Sequence, residues 1–285
     1  MKASKSSKKH KKGKGGRSNK PSLASQADRH ILYQESVQDT EFEYEFISST
    51  FERLRGRQPR LLREDFCGTA QMCCEWVRRD PHNRAFGVDL DTEVLTWARE
   101  HNLSQLNPEQ CERVQLIEAD VLEVRTDQAP DLIIAMNFSY QGFKTREALR
   151  GYFERVREAM TDDGVLIMDA FGGYEAFQEL EEETEHDDFT YVWDQDFYDP
   201  ITGAMTCHIH FSFPDGSRMD RAFTYHWRLW TLPELQELLT EAGFKRVTVY
   251  WEGTDEETNE GDGNFQPATQ GEADPGWIAF LSAEK

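Results

Sequence analysis

The chain has 285 residues, enough for one α/β domain with insertions or two small domains, and its 38% hydrophobic content can fill a sizeable core. Ten of its 32 basic and one of its 53 acidic side chains lie in residues 1–30, so the other 255 residues carry 22 basic and 52 acidic groups, net −30. A body with this charge repels phosphate backbones, which argues against nucleic-acid binding except through residues 1–30. No apolar run is long enough to cross a bilayer, and the five cysteines show no Cys-x-x-Cys spacing that would indicate a zinc site. The sequence therefore predicts a reduced, soluble, cytoplasmic protein without a membrane partner.

The first 30 residues are rich in Lys, Ser and Gly and contain almost nothing that can be buried. Such a composition predicts a disordered basic tail. A solubilising role is favoured because charge runs are usually solvated. A tether for RNA or for an acidic partner is the alternative.

Residues 31–59 have the apolar spacing of one or two amphipathic helices, which Gly56 and Pro59 close. They are expected to form an N-terminal helical cover. From residue 60 onward, strand and helix patterns alternate, which favours an open parallel sheet wound on both faces. The predicted strands are residues 60–66, 85–90, 114–118, 131–137 and 165–169, and the predicted helices are residues 70–79, 92–101 and 145–160.

A different pattern begins at residue 179. Residues 179–188 hold seven acidic groups and are interpreted as an exposed helix end or loop. Three antiparallel strands are predicted at residues 189–199, 204–213 and 218–230, so that residues 179–230 form an antiparallel insertion. A capping box, Thr231-Leu-Pro-Glu234, opens a helix that ends at Gly243. Strands at 247–251 and 277–281 then flank a long acidic loop, which is expected to be functional or disordered.

The stretch Leu61-Leu-Arg-Glu-Asp-Phe-Cys-Gly-Thr-Ala70 carries the clearest functional signal. An apolar strand ends in an acidic group and turns through small residues into a helix, which lets the backbone approach a ligand. Asp89 ends the next strand about 20 residues later, where an acid can bind a ribose hydroxyl. Asp120 follows the third strand, where it can face an adenine amine. This combination is typical of a nucleotide-binding α/β sheet.

Together these motifs resemble the class I S-adenosylmethionine-dependent methyltransferases of the small-molecule type. Residues 64–70 (EDFCGTA) are similar to the family's acid-x-Gly-x-Gly-x-Gly loop, with Phe66 and Ala70 in place of its first and third glycines. Residues 87–91 (GVDLD) are similar to its second-strand motif, and residues 228–244 to the segment before its closing hairpin. The resemblance implies a Rossmann-like, doubly wound, seven-stranded and mostly parallel sheet within residues 60–285, in which the last strand, at 277–281, is antiparallel.

The resemblance also implies S-adenosyl-L-methionine as the cofactor. A comparable N-terminal segment lies over the cofactor in family members that act on small amines, which suggests this place for Tyr33, with ordinary helix packing as the alternative. The residues expected to bind the cofactor are Tyr33, Glu64, Cys67, Gly68, Thr69, Asp89, Leu90, Asp120, Val121 and Asn137.

The acceptor is expected after the fourth strand, where residues 137–140 have the spacing of the family's Asn-Pro-Pro-Tyr loop but lack both prolines. Aromatic residues of the insertion are interpreted as a cover for this acceptor. His208 and His210 share one strand face, but no further ligand is evident, so no metal is predicted. Either histidine would serve as a general base if it were catalytic, and no catalytic residue is assigned. The residues expected to bind the acceptor are Tyr140, Phe143, Tyr174, His208 and Trp227.

Methyl transfer from a sulfonium is an in-line displacement that depends on positioning more than on acid–base chemistry. The sequence therefore predicts transfer to a small, neutral or cationic acceptor with a nitrogen or oxygen nucleophile. The alternative is a SAM-binding protein that its basic tail directs to RNA or protein, as a modifier or as a non-catalytic adaptor. A nucleotide-dependent oxidoreductase is disfavoured because the first loop lacks the Gly-x-Gly-x-x-Gly spacing. No oligomeric state is predicted.

Overall fold

The computed structural model describes residues 21–255 and 261–285, and its strands form two sheets. The larger sheet contains β1 (Leu61–Asp65), β2 (Arg84–Asp89), β3 (Val114–Glu118), β4 (Leu132–Ala135), β5 (Val165–Gly172), β10 (Arg246–Thr254), β11 (Gly261–Ala268) and β12 (Trp277–Glu284). The smaller sheet contains β6 (Leu180–Glu185), β7 (Thr190–Tyr198), β8 (Ala204–Ser212) and β9 (Arg218–Arg228).

The larger sheet has the order β11-β10-β12-β5-β4-β1-β2-β3. Strands β1 to β5 run parallel, and β12 is antiparallel to β5, as predicted. The chain moves outward from β1 to β3 and returns to β4 on the other side of β1. Such a switch in strand order opens a crevice at the carboxyl ends of the strands. The Rossmann-like fold is confirmed, but the sheet has eight strands rather than seven.

The extra strand is β11, which lies within the segment predicted as a long acidic loop. It pairs antiparallel with β10, and its Phe265 packs against Phe42 and Phe280. The sequence does not indicate this strand, because β11 contains two glycines and a proline, which are depleted in strands, and most of its side chains are exposed at the edge of the sheet. A proline such as Pro267 is tolerated on an edge strand, where its missing N–H can face solvent.

Helices cover both faces of the larger sheet. They are α1 (Leu23–Gln26), α2 (Arg29–Val37), α3 (Thr40–Arg55), α4 (Gln71–Arg79), α5 (Thr92–His101), α6 (Pro108–Cys111), α7 (Arg146–Ala159) and α8 (Leu232–Glu241). The apolar side chains of α3, α4 and α5 pack in one core, and those of α7 and α8 pack in a second core on the opposite face. Among the described residues, no helix combines the length and apolar character that a membrane span requires.

Side-chain caps fix several helix starts that the sequence predicted. The carboxylate of Asp91 accepts the N–H groups of Glu93 and Val94 at the start of α5. Thr231 and Glu234 form the predicted reciprocal capping box at the start of α8. These contacts are local in sequence, and both helices therefore begin where the sequence predicted.

The smaller sheet forms the predicted insertion, with the order β6-β7-β8-β9 and antiparallel pairing throughout. The interpretation of residues 179–188 as a helix end or loop is wrong, because residues 180–185 form β6. This acidic segment pairs with β7, which supplies hydrogen-bond partners for its backbone. Its glutamates tolerate this arrangement because β6 is an edge strand with mostly exposed side chains.

The predicted disordered tail is only partly tested, because residues 1–20 lie outside the described residues. Residues 21–30 contradict the prediction, since they contain α1 and the start of α2. The N–H of Leu23 donates to the carboxylate of Asp215 at 2.9 Å, and the carboxylate of Asp28 accepts the indole N–H of Trp97 at 2.7 Å. Polar contacts therefore order a segment that has few apolar side chains.

Two deletions should separate these parts of the N-terminus. Removing residues 1–20 is expected to leave the free energy of unfolding within about 0.5 kcal/mol, since this stretch has almost nothing to bury. Removing residues 1–30 should cost about 2–4 kcal/mol, because it also removes the hydrogen bonds to Asp215 and Trp97. Urea denaturation of both deletions measures the difference, and equal stabilities would contradict the assigned contacts.

Candidate active site

The loop between β1 and α4 has three left-handed residues in alternation: Phe66 (φ 59°), Gly68 (φ 50°) and Ala70 (φ 54°). They stand where the resembled loop has its glycines. A left-handed backbone costs a residue with a Cβ about 1–2 kcal/mol. The ring of Phe66 packs against Phe143 and Tyr152, with ring centroids 6.3 and 5.7 Å away. This packing offsets the strain of Phe66, and the loop keeps its shape without two of the glycines.

Gly68 lies at the open side of this loop. A Cβ built on it would meet no atom within 4 Å. Its N–H donates to one carboxylate oxygen of Asp89 at 2.8 Å, and the other oxygen accepts the N–H of Asp91 at 2.9 Å. Asp89 thus joins the loop after β1 to the end of β2, and a ligand has space beside both residues.

Three more predicted residues follow the ends of β2 and β3. Leu90 is largely exposed, and it offers an apolar surface next to Asp89. The carboxylate of Asp120 accepts the N–H of Leu122 at 2.9 Å, while Val121 is buried. These residues follow neighbouring parallel strands, so the sheet brings them to one edge.

The remaining residues of the first loop are more enclosed than the sequence suggested. The carboxylate of Glu64 accepts the backbone N–H of Cys73 at 3.2 Å and its thiol at 2.9 Å. Burial raises the pKa of Glu64 to about 7, although these hydrogen bonds oppose the rise. Cys67 is buried, and the hydroxyl of Thr69 accepts the side-chain N–H of Gln34 at 2.7 Å. The bond to Gln34 attaches the cover helix α2 to the loop.

Arg63, beside the loop, is fully buried and paired with Asp65. Its guanidinium Nε and Nη2 each donate to one carboxylate oxygen of Asp65 at 2.8 Å. Tyr152 donates its hydroxyl to the same carboxylate at 3.0 Å. Because Asp65 occupies the guanidinium, the position of Arg63 is consistent with a structural role.

A cavity of about 1240 Å³ lies on the other side of the switch point, beyond the ends of β4 and β5. Helices α2 and α3 and the inner face of the smaller sheet cover it. Its walls include the aromatic side chains of Tyr33, Phe42, Phe138, Phe171, Tyr191, Trp193, Tyr225, Trp227, Phe265, Trp277 and Phe280. Among the described residues, its lining contains no Lys, Arg or His, and it contains the carboxyl groups of Asp39, Glu43, Asp169, Glu175, Glu182 and Glu252.

Two of these carboxyl groups are strongly buried. Burial raises the pKa of Asp169 to about 7, although the N–H groups of Asn137 and Phe138 oppose the rise. Burial also raises the pKa of Glu43 well above its usual range, and the neighbouring charges of Glu64 and Asp169 add to the effect. Burial therefore disfavours the ionised forms of both carboxyl groups, and a cationic ligand in the cavity would favour them.

Asp169 also organises the loop that follows β4. Its carboxylate accepts the N–H groups of Asn137 at 2.8 Å and Phe138 at 3.0 Å, and both donors have a left-handed backbone. The hydroxyl of Tyr140 donates to the backbone carbonyl of Asp169 at 2.9 Å. Tyr140 is fully buried and does not line the cavity, so its prediction as an acceptor contact is wrong for this structure.

Of the other residues predicted to bind the acceptor, some line the cavity and others lie outside it. Trp227 lines the cavity, as do Tyr33 and Asn137 from the predicted cofactor set. Phe143 packs beside Tyr152 and is not part of the lining. Tyr174 is exposed outside it, and His208 lies on the opposite face of the smaller sheet. Of the predicted acceptor residues, Trp227 therefore lines the cavity, whereas Tyr140, Phe143, Tyr174 and His208 do not.

The predicted site residues leave out two buried acids that line the cavity, Asp169 and Glu43. Asp169 is an acid at the end of the fifth predicted strand, and the carboxyl ends of parallel strands are where an open sheet forms its crevice. Glu43 carried a subtler signal, because it is an acid on the apolar side of an amphipathic helix, between Phe42 and Phe46. Glu43 is 7% exposed, and a buried glutamate is uncommon unless it is paired with another group.

No protein-family model matches this sequence, and no curated protein resembles it closely enough to count as a match. Solved structures do match. One is an S-adenosylmethionine-dependent methyltransferase from Clostridium acetobutylicum, with a TM-score of 0.64 and 18% identity, covering 89% of this chain and 96% of that one. The SAM-bound amino pentose methyltransferase CalS10 from Micromonospora echinaspora matches with a TM-score of 0.63 and 14% identity, covering 90% and 96% of the two chains.

A third solved structure matches nearly the whole chain. The sugar N-methyltransferase KedS8 from a Streptoalloteichus species matches with a TM-score of 0.60 and 16% identity, covering 97% of this chain and 99% of that one. The agreement includes the smaller sheet, because the match covers almost all of both chains. The chain has the class I methyltransferase fold. In this fold the loop at Gly68 and the cavity at Asp169 lie on the two sides of the switch point between β1 and β4.

Proposed function

We propose that this chain catalyses methyl transfer from S-adenosylmethionine to the amine nitrogen of a small, cationic acceptor about the size of a sugar. The single observation that carries the proposal is the aromatic cavity of about 1240 Å³ whose charged lining groups are carboxyls. Similar solved structures are described as amino pentose and sugar N-methyltransferases, which supports an amine acceptor.

The residues near Gly68 fit the donor molecule. S-adenosylmethionine, when bound, supplies an electrophilic methyl group on a sulfonium. Open space beside Gly68 admits a ligand close to the loop backbone. Asp89 and Asp120 provide carboxylates for ribose hydroxyls and for an adenine amine, and the exposed side chain of Leu90 supports an apolar surface.

The cavity fits an amine. Its aromatic rings, including Tyr33 and Trp227, can attract a cation through their faces. A protonated amine must lose a proton before its nitrogen can attack a methyl group. Glu43 in its ionised form, which a bound cation favours, is the group best placed to accept that proton, because its carboxyl lines the cavity and has no hydrogen-bond partner among the described residues. Asp169 holds the loop against which the acceptor would lie.

The raised pKa values give this proposal a pH dependence. Asp169 and Glu64 have a folded-state pKa of about 7, above the unfolded value of about 4, so without ligand both destabilise the fold as pH rises from about 4 to about 7. A bound cation favours their ionised forms and releases protons. Affinity for S-adenosylmethionine should therefore increase from pH 6 to pH 7, by up to about tenfold for each proton released, and level off near pH 8. Calorimetry in buffers of different ionisation enthalpy measures the protons, and a flat affinity profile would contradict the assignment.

Transfer of a labelled methyl group to a panel of aminosugars and small amines tests the proposal. Glu43→Gln is expected to lower kcat/KM for the amine by about 100-fold, since it removes the proton acceptor, while S-adenosylmethionine affinity stays within about threefold. Glu45→Gln on the exposed side of the same helix is the matched control and should behave like the wild type. Tight binding of S-adenosylmethionine without transfer to any amine in the panel would reject the proposed acceptor class.

A further inference from the structure

The outer face of the smaller sheet carries a cluster of side chains that the proposed reaction does not use. Side chains alternate between the two faces of a strand. Ile209 of β8 lines the cavity, so His208 and His210 on either side of it face outward. Asp194 of β7 pairs with His208 in the strand register, which places its carboxylate beside the two imidazoles.

A bulge brings a second carboxylate to this cluster. The pairing of β7 with β8 shifts between Gln195 and Phe197, so Asp196 is an extra residue in β7. Its carboxylate lies on the same side as that of Asp194, close to His208. One carboxylate oxygen from each aspartate and one ring nitrogen of His208 lie within 4.8 Å of one another. Three donor atoms at this separation can surround a single ion.

The ring of His208 is oriented for a ligand. This side chain is 3% exposed, and its Nδ1 lies 2.8 Å from the hydroxyl of Thr224. Its Nε2 has no hydrogen-bond partner among the described residues, and it lies 3.5 Å from an oxygen of Asp196. In the tautomer that donates Nδ1–H to Thr224, Nε2 presents a lone pair toward the carboxylate of Asp196. Two such electron-rich atoms repel each other unless a cation lies between them.

His210 has a different role, because its tautomer is fixed by the backbone. Its Nδ1 accepts the N–H of Arg221 at 3.0 Å, so the ring proton lies on Nε2 and faces an oxygen of Asp194 at 3.2 Å. Arg221 has a left-handed backbone (φ 50°) where the pairing of β8 with β9 is irregular, and this aims its N–H at the ring. His210 therefore orients Asp194, as residues beside metal ligands commonly do.

We propose that Asp194, Asp196 and His208 bind a divalent first-row transition-metal ion. Two carboxylate oxygens and one neutral imidazole nitrogen are a donor set that suits Zn²⁺, Co²⁺ or Mn²⁺, with the remaining coordination positions open to water. The exposed carboxylates of Glu181 and Asp220 lie nearby, and the guanidinium of Arg218 pairs with both of them. The ion joins β7 to β8 on the side away from the cavity, so it stabilises the acceptor cover without entering the methyl-transfer reaction.

Metal titration of the untagged, chelator-treated full chain tests this site. Zn²⁺ and Co²⁺ are expected to bind with one equivalent and to raise Tm by about 5 °C when the ion is present at about 100 times Kd. Mg²⁺ should bind much more weakly, since an imidazole ligand favours transition metals. Bound Co²⁺ should show d–d absorption bands that report a mixed nitrogen and oxygen ligand set.

Variants assign the ion to these residues. His208→Gln and Asp196→Asn are each expected to weaken Zn²⁺ binding by about 100-fold. His226→Gln is the matched control, since His226 lies on β9 of the same sheet and is exposed. If His208→Gln fails to fold, Asp196→Asn still tests the metal site. The side chain of Asp196 is half exposed, so its replacement should not prevent folding. Wild-type binding no tighter than that of these variants would overturn the proposal and would place a proton, not a metal ion, between His208 and Asp196.

Discussion

Replacing Gly68 with valine is expected to abolish binding of S-adenosylmethionine while the chain stays folded. The left-handed backbone at Gly68 (φ 50°) makes a β-branched residue unfavourable by about 1–2 kcal/mol. The new side chain would enter open space, because a Cβ there meets no protein atom within 4 Å. The lost affinity, at least about 100-fold, would arise because the side chain fills the space proposed for the ligand.

Gly216→Val is the matched control for this prediction. Gly216 also has a left-handed backbone (φ 80°) and open space at its Cβ, but it lies in the turn between β8 and β9. Both variants should lose similar stability in urea denaturation, and only Gly68→Val should lose affinity in calorimetry. Normal binding by folded Gly68→Val would show that the loop after β1 does not approach the donor.

Replacing Asp169 with alanine is expected to lower kcat by at least about 100-fold and stability by about 2–4 kcal/mol. Its carboxylate accepts hydrogen bonds from the N–H groups of Asn137 and Phe138. Both of these residues have a left-handed backbone, which costs free energy. Without the carboxylate, these hydrogen bonds no longer stabilise the conformation of the loop after β4. A shift of about 1 Å at the proposed acceptor site is enough for a loss of this size.

Asp131→Ala separates the catalytic from the structural part of this effect. The Asp131 carboxylate also accepts two backbone N–H groups, those of Arg60 and Leu61 at 2.8 and 3.1 Å, at the opposite end of the sheet. The two variants should lose comparable stability, but only Asp169→Ala should lose turnover at a temperature where both are folded. Equal turnover in the two variants would remove Asp169 from the organisation of the site.

Much of the fold was predictable because its signals are local in the sequence. Apolar strands alternate with amphipathic helices, and side-chain caps at Asp91 and Thr231 mark where α5 and α8 begin. The acids at strand ends were also predictable. Parallel strands bring their carboxyl ends to one edge, so Asp89 and Asp120 had to lie near each other once the sheet was recognised.

Other features depend on contacts between distant residues. Phe66 adopts a glycine-like backbone because its ring packs against Tyr152, which lies 86 positions later in the chain. The glutamate-rich segment at residues 180–185 becomes a strand because β7 offers it backbone partners. Neither outcome follows from local propensity, since tertiary packing and pairing supply the free energy that the local sequence lacks.

The sequence by itself determined the layered α/β fold and the place of the loop at Gly68, because spacing and residue type specify both. Only the tertiary structure decided which side chains reach the cavity. Tyr140 is buried in the core, and His208 lies on the face of the smaller sheet that is turned away from the cavity. Helix α3, in contrast, directs the side chain of Glu43 toward the cavity. The facing of a side chain depends on strand register, bulges and helix rotation, and these are set by packing between elements that are far apart in sequence.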